Sequence, residues 1–353
     1  MMNMNNRRII FLDYMRVVAF TLVVIGHQFN KDLYKMAADT SNHITLRTLY
    51  SILADATIGG AMGVIIFFLV SGYIITHVLQ TEKTIEFYLK RIFRIYPLYI
   101  FAVLCELLLQ HFNGIPIPTL SIIIPRLLLI GDFFDTPLAL GEVEWTLRVE
   151  VLFYIFMGLL RTLGIISKGN IIAVILLATT FMLFVSTPFP ISTNFHNAYL
   201  SIYLPFLFIG VIIYYIEKKM VNYSIAIICV LALFYMHLVM IDKFSPSWGR
   251  FNYAFTGTII FISSWALRNH FQYTKPCSFL SELTYAIYLF HKWVWDSLSE
   301  IVSNLNITFV NSNVQIIALL IGICFASHKL IENKGVQLGK RISKMYLTKS
   351  IKV

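Results

Sequence analysis

Charge is scarce in this chain. Only 13% of its residues are Asp, Glu, Lys or Arg, while 58% are hydrophobic. That balance excludes an ordinary soluble domain. Cysteine is sparse too. Cys105, Cys229, Cys277 and Cys324 are scattered in or near apolar runs. They lack metal or redox spacing and are read as free thiols. No repeat, low-complexity tract or linker interrupts the chain, and the apolar runs leave no room for a separate soluble domain. No small-residue cleavage site follows the first run, 9–29, so it reads as an uncleaved span rather than a signal peptide. What remains is an all-α, polytopic integral membrane protein, with residues 1–353 as one domain.

The hydropathy pattern predicts ten spans: 9–29, 58–79, 95–112, 149–166, 171–187, 199–217, 223–241, 251–268, 283–302 and 313–332. The net charge of +10 invites a nucleic-acid reading, but topology explains it better. With the N-terminus inside, basic residues crowd the cytoplasmic segments, among them Arg7, Arg8, Lys83, Lys90, Arg91, Arg94, Lys218 and Lys219. The tail 333–353 adds Lys340, Arg341, Lys344 and Lys352. The opposite segments hold only Lys31, Lys35, Arg47, Arg126, Arg148, Lys243 and Arg250. This asymmetry predicts both termini in the cytoplasm. Two external stretches are long, 30–57 and 113–148. The second contains an apolar piece, 119–130, too short to cross a bilayer and read as re-entrant or interfacial.

Ionisable residues inside spans are costly and mark candidate sites. The first span carries Asp13, Arg16 and His27. Arg16 and His27 are 11 residues apart, close to three helical turns, so they share a face roughly 16 Å apart. Asp13 lies one turn before Arg16 and can pair with it. A helix that pairs acid with base near one end and holds His27 three turns deeper suggests a lined site. The second span contains Gly59, Gly60, Gly63, Ser71 and Gly72. These glycines suit either close helix packing or passage of a thin ligand. Arg91 and Arg94 project from adjacent turns at the start of the third span, an arrangement suited to phosphate groups. Glu150 lies just inside the fourth span, behind Trp145 and Thr146, with Tyr154 one turn further on the same face. Tyr285, Tyr288 and His291 are spaced to line one face of the ninth span, and Glu332 closes the tenth.

Taken in order, these elements resemble the acyltransferase-3 family of membrane O-acyltransferases. The resemblance rests on Arg16 and His27 at the R-x10-H spacing, and on Gly63-Val64, Phe67-Phe68 and Ser71-Gly72. Arg91-x-x-Arg94 with Tyr96-Pro97 and Trp145-x-Leu147 with Glu150, Phe153-Tyr154 extend it, as do Tyr285, Tyr288-Leu289, His291 and Glu332. It covers most of the chain. Two departures stand out. Thr146 replaces a common serine and keeps the hydroxyl, and no proline follows Glu332.

The resemblance implies a stand-alone O-acyltransferase of the bacterial cytoplasmic membrane that modifies surface sugars. Acyl-coenzyme A, acetyl-CoA first among the candidates, would be the cytoplasmic co-substrate, with no permanently bound cofactor or metal. The acceptor would be a hydroxyl of a lipid-linked or surface glycan such as O-antigen, capsule or exopolysaccharide. Catalysis would fall to His27, Glu150, Arg16 and Asp13. Donor binding would fall to Arg91, Arg94, Ser71 and Gly72. Tyr154, Trp145, His291 and Glu332 would support the acceptor side. Membrane lipids complete the expected partners, and nucleic acid is excluded. Two other readings remain open: a transporter or flippase for a lipid-linked sugar, weakened by the absence of inverted halves, and an acyltransferase for a small molecule or lipid.

Overall fold

The computed structural model describes residues 8–191, 197–249 and 252–350. Arg7, Arg250 and Lys352 of the charge pattern, and Phe251 at the start of the predicted eighth span, lie outside the described residues. Among the described residues there is no strand. The helices are α1 (Ile10–Gln28), α2 (Asn30–Ala38), α3 (Ile44–Thr57), α4 (Ala61–Leu79), α5 (Thr84–Phe112) and α6 (Leu120–Leu127). They continue with α7 (Trp145–Thr162), α8 (Gly169–Val185), α9 (Tyr199–Glu217), α10 (Tyr223–Phe244) and α11 (Pro246–Gly249). The last are α12 (Tyr253–Ala266), α13 (Lys275–Phe290), α14 (Trp295–Leu305), α15 (Ser312–Ser327) and α16 (Asn333–Ser350).

Among the described residues, six helical stretches are long and apolar enough to cross a membrane: Ile10–Gln28, Ile44–Leu79, Thr84–Phe112, Tyr199–Glu217, Tyr223–Phe244 and Ser312–Thr348. Gly169–Val185 and Tyr253–Ala266 are apolar but shorter. The fourth predicted span is α7, a single helix that also carries Arg148, Glu150 and Arg161. The ninth, 283–302, is two helices. α13 stops at Phe290, and α14 begins at Trp295 with Asp296 in its first turn. Lys292 and Asp296 interrupt the apolar run there, and the chain turns across residues 291–294.

The chain divides into two compact units, residues 1–70 with 251–285, and residues 71–250 with 286–353. In the first unit, α1 meets the start of α4 at backbone distance. A methyl group on Gly26 would stand 2.1 Å from the Thr57 carbonyl oxygen, and one on Gly63 would stand 2.4 Å from that of Ala19. These small residues are used for helix approach, which leaves no room for a ligand between them. Gly59 and Gly60 turn α3 into α4 with φ of 53° and 68°, a conformation glycine adopts cheaply. The stretch 30–57 forms α2 and α3, tied by the Asn30 amide to the Ala54 carbonyl at 2.6 Å. Phe11 of α1 packs on Phe261 of α12 at 6.1 Å.

In the second unit, α9 is the core. Every residue from Tyr199 to Tyr215 is buried, as expected for a helix apolar all round. Gly72 of α4 brings its α-carbon against α9, where a methyl group would stand 1.9 Å from the Leu207 carbonyl oxygen. The tail is not loose. α16 lies on α5, and methyl groups on Gly335 and Gly339 would stand 2.7 Å and 2.6 Å from Phe93. A π-helical turn, His328–Glu332, joins it to α15.

The segment between α5 and α7 is tied down at many points. Tyr99 and Tyr96 donate to the carbonyls of Arg126 and Leu128 at 2.7 Å and 3.0 Å. Arg126 donates to the Pro137 carbonyl at 3.1 Å. Glu106 of α5 accepts the backbone N–H groups of Leu140 and Gly141 at 2.7 Å and 3.0 Å. The apolar piece of this segment forms α6, with eight residues far short of the roughly 20 needed to span.

Candidate active site

The first unit holds the Asp13 cluster. Asp13 is 5% exposed and gathers donors from distant parts of the chain. Arg8 Nε donates to its Oδ2. The Ser281 hydroxyl and Arg16 Nη1 reach its Oδ1 at 2.7 Å and 3.3 Å. Arg8 in turn donates to Glu282 at 2.9 Å and to the Ser278 carbonyl at 3.0 Å. Burial would lower the Arg8 guanidinium, but its bonds to Asp13 and Glu282 outweigh that, raise it and keep it charged. The i,i+3 pairing of Asp13 with Arg16 is therefore present, inside a larger network. His27 sits half-buried in the last turn of α1. α1 is unbroken from Ile10 to Gln28, so Arg16 and His27 keep the axial separation expected from their spacing.

The second unit brings Ser71, Glu150 and Tyr154 together. Ser71 donates its hydroxyl to Glu150 Oε1 at 2.6 Å, and Tyr154 donates to the same oxygen at 2.5 Å. Among the described residues, Glu150 Oε2 makes no hydrogen bond. Tyr154 stands edge-on to Phe87, with centroids 6.0 Å apart. The Arg91 guanidinium lies over the Phe87 ring, 5.6 Å from its centroid. Arg91 and Arg94 both act electrostatically on Tyr154. The two sides of the pair differ. Arg91 is half-buried, and its Nε is buried without a hydrogen bond among the described residues. Arg94 is exposed. A line of contacts thus runs from Arg91 through Phe87 and Tyr154 to a carboxylate with one oxygen uncommitted.

Other candidate residues take supporting places in this unit. Thr146 donates to Tyr288 at 2.7 Å, so the hydroxyl at position 146 is used. His291 is fully buried, and its Nδ1 faces the carbonyls of Tyr288 and Ile287 at 2.8 Å and 3.2 Å. Carbonyls only accept, so the proton sits on Nδ1 and Nε2 carries the lone pair. Trp145 packs against Tyr199 and Tyr203 at 5.4 Å and 5.1 Å. Glu332 is buried and pairs with His328 at 2.9 Å within the π turn. Such turns often mark working sites. His328 stands four residues before Glu332, at ordinary helical pairing distance, and the sequence reading passed over it.

Arg148 is the residue whose role sequence alone shows least, since charge patterning places it simply among the external cations. It is 1% exposed. Its Nη1 reaches Asp132 Oδ1 at 2.6 Å, and its Nε and Nη2 both reach Glu144 Oε1 at 2.7 Å. Tyr199 also donates to Asp132. Ala139 N–H binds the other oxygen of Glu144 at 2.8 Å. Gly131 admits the guanidinium, since a methyl group there would stand 2.4 Å from Arg148 Nη2.

A sequence model of a family described as an acyltransferase domain matches residues 9–328. No curated protein matches the chain, and no solved structure matches it.

Proposed function

The chain belongs to the acyltransferase-3 family, and from that membership we propose that it moves an acyl group, acetyl first, from acyl-coenzyme A to a glycan hydroxyl. The setting is the bacterial inner membrane, with ten spans, both termini cytoplasmic and the 113–140 segment outside. The observation that carries the reading is the line of contacts from Arg91 to Glu150, with Arg94 three residues on from Arg91. Two guanidiniums in the N-terminal, cytoplasmic part of α5 suit the phosphates of coenzyme A, whose thioester hangs on a long thin arm. Gly72 does not open space for that arm, because its α-carbon packs against Leu207. The donor role therefore rests on the arginines, with Ser71 acting through Glu150.

In the reaction, His27 takes the proton of the acceptor hydroxyl as its oxygen attacks the thioester carbonyl. The C–S bond then breaks, and the proton passes to the departing thiolate of coenzyme A. Arg16, held by Asp13, supplies fixed positive charge on the same helix face as His27. Glu150 supplies a fixed carboxylate in the second unit. General-base assistance contributes about 10²–10⁴-fold.

The test is mass spectrometry of surface glycans from cells with the wild-type protein, with His27→Ala, and without the protein. The expected result is O-acylation only with the wild type, while His27→Ala accumulates folded in the membrane. Normal glycan acylation by His27→Ala would return His27 to a structural role. Sugar transport without acyl-CoA turnover in reconstituted vesicles would favour a flippase instead.

A further inference from the structure

We propose that a cavity between the 131–136 turn and the 189–191 segment is an acceptor subsite that takes one sugar ring. The cavity measures about 240 Å3 and is lined by Asp132, Phe133, Phe134, Asp135, Thr136 and Phe189, among others. It lies wholly in the second unit, in the segment assigned to the external side. Its claim to be an acceptor site rests on the glycan reading above. Drug-sized pockets run to about 300–1,000 Å3, so this one suits a single ring rather than a chain.

The turn is built to display three side chains. Asp132, its side chain 3% exposed, and the buried Thr136 form its ends, and both face Arg148, at 2.6 Å and 3.4 Å. Gly131 O accepts the N–H groups of Phe134 and Thr136 at 3.0 Å and 3.1 Å, closing the turn. Between these anchors, Phe133 and Phe134 are each 60% exposed, and Asp135 is exposed. The opposite wall is also fixed. Ser201, fully buried on α9, accepts the Phe189 backbone N–H on its hydroxyl oxygen at 3.2 Å. Ala198 N–H binds the Pro190 carbonyl at 2.8 Å. Phe133 and Phe189 meet at 5.3 Å with their rings tilted by 41°. Both walls are therefore held before any ligand arrives, which reduces the ordering cost of binding.

The lining selects the ligand class. Two carboxylates disfavour a phosphate or another anion. Those carboxylates are also costly against a lipid tail. Aromatic faces pack against the C–H faces of a pyranose, and a carboxylate can accept from two neighbouring hydroxyls. An ammonium group is the other chemistry that rings and carboxylates recognise. Arg148 already balances the charge of Asp132, which favours a neutral hydroxylated ring over a cation.

The experiment uses the full-length protein in nanodiscs and saturation-transfer NMR with methyl glycosides of glucose, galactose and mannose, with choline as a separate probe. Acyl-CoA hydrolysis without acceptor is measured alongside. At least one glycoside is expected to bind the wild type. Phe133→Ala and Asp135→Asn are expected to weaken it about tenfold or more, the scale of a lost charged hydrogen bond. Phe133→Trp should retain binding, and hydrolysis should stay unchanged in all three. Glycoside binding that survives both Phe133→Ala and Asp135→Asn overturns the subsite while leaving the glycan reading intact. Glycoside binding lost in these variants, in a protein whose cells show no glycan acylation, keeps the sugar site and sinks the glycan-acceptor reading. Choline binding with no glycoside binding, or loss in Phe133→Trp as well, overturns the proposal.

Discussion

Arg148 and Glu150 stand two residues apart on α7, and the clusters around them are made differently. Arg148 is enclosed, with Asp132 and Glu144 on its guanidinium and Tyr199, Thr136 and Ala139 N–H completing the shell. Glu150 is half-buried and receives two neutral hydroxyls on one oxygen, with the other uncommitted. A saturated buried ion cluster fixes backbone. A carboxylate that is oriented yet unsaturated remains available for chemistry. Position along a helix does not tell these roles apart; the partners do.

The sharpest way to break this comparison is to remove each charge. Arg148→Met leaves Asp132 and Glu144 buried without their cation, and breaking a buried pair from one side costs about 3–5 kcal/mol. The expected outcome is loss of most monodisperse protein in detergent, measured by size-exclusion chromatography and thermal unfolding. Glu150→Gln keeps the shape and both hydroxyl contacts. It should leave the melting temperature nearly unchanged while reducing transfer severely, about a hundredfold or more, the scale of a lost acid–base or charge-stabilising group. A stable Arg148→Met protein, or a Glu150→Gln protein that unfolds, would reverse the assignment.

The same contrast marks what could be read from residue order. Glu150, Tyr154, Arg91 and Arg94 were legible because each lies at helical spacing inside or beside an apolar run. Their shared connection through Phe87 was not, since it joins α5 to α7. Asp13 and Arg16 were legible as a one-turn pair, whereas Ser281 and Glu282 come from the far end of the chain. α2 and α3 escaped because they are short and amphipathic, and α16 because its lysines mask a face that packs on Phe93. The burial of Arg148 was not legible, because charge counting for topology weighs a cation only by its place along the chain. Its carboxylate partners become visible only once the 131–144 loop is folded over it.

A smaller effect sharpens the donor end. Arg91 rests on Phe87 with a buried Nε, while Arg94 is exposed. A phosphate bound to a partly desolvated guanidinium gains more than one bound in water. Arg91→Ala should therefore raise the Michaelis constant for acyl-CoA about ten- to a hundredfold, the equivalent of about 1.5–3 kcal/mol for a charged hydrogen bond. Arg94→Ala should raise it less. The saturated rate should change little in either variant, because uniform binding is what is lost. Equal, small effects from both substitutions would return the pair to an ordinary positive-inside anchor.

The smallest expected effect tests how Glu150 is held. Ser71 and Tyr154 both donate to Oε1, at 2.6 Å and 2.5 Å. Either hydroxyl alone still fixes the carboxylate, and water can replace the other because Glu150 is only half-buried. Ser71→Ala or Tyr154→Phe should each lower kcat by only about three- to tenfold, on the order of the net worth of one hydrogen bond. Phenylalanine at 154 keeps the ring that meets Phe87 at 6.0 Å, so the path from Arg91 is preserved and the donor Michaelis constant should not move. The double variant should lose more than the product of the single effects, because the second removal frees the carboxylate to rotate. Groups that share one partner are coupled in this way. Purely multiplicative effects in that cycle would mean that the two hydroxyls act independently, and that the orientation of Glu150 is set by something else on α7.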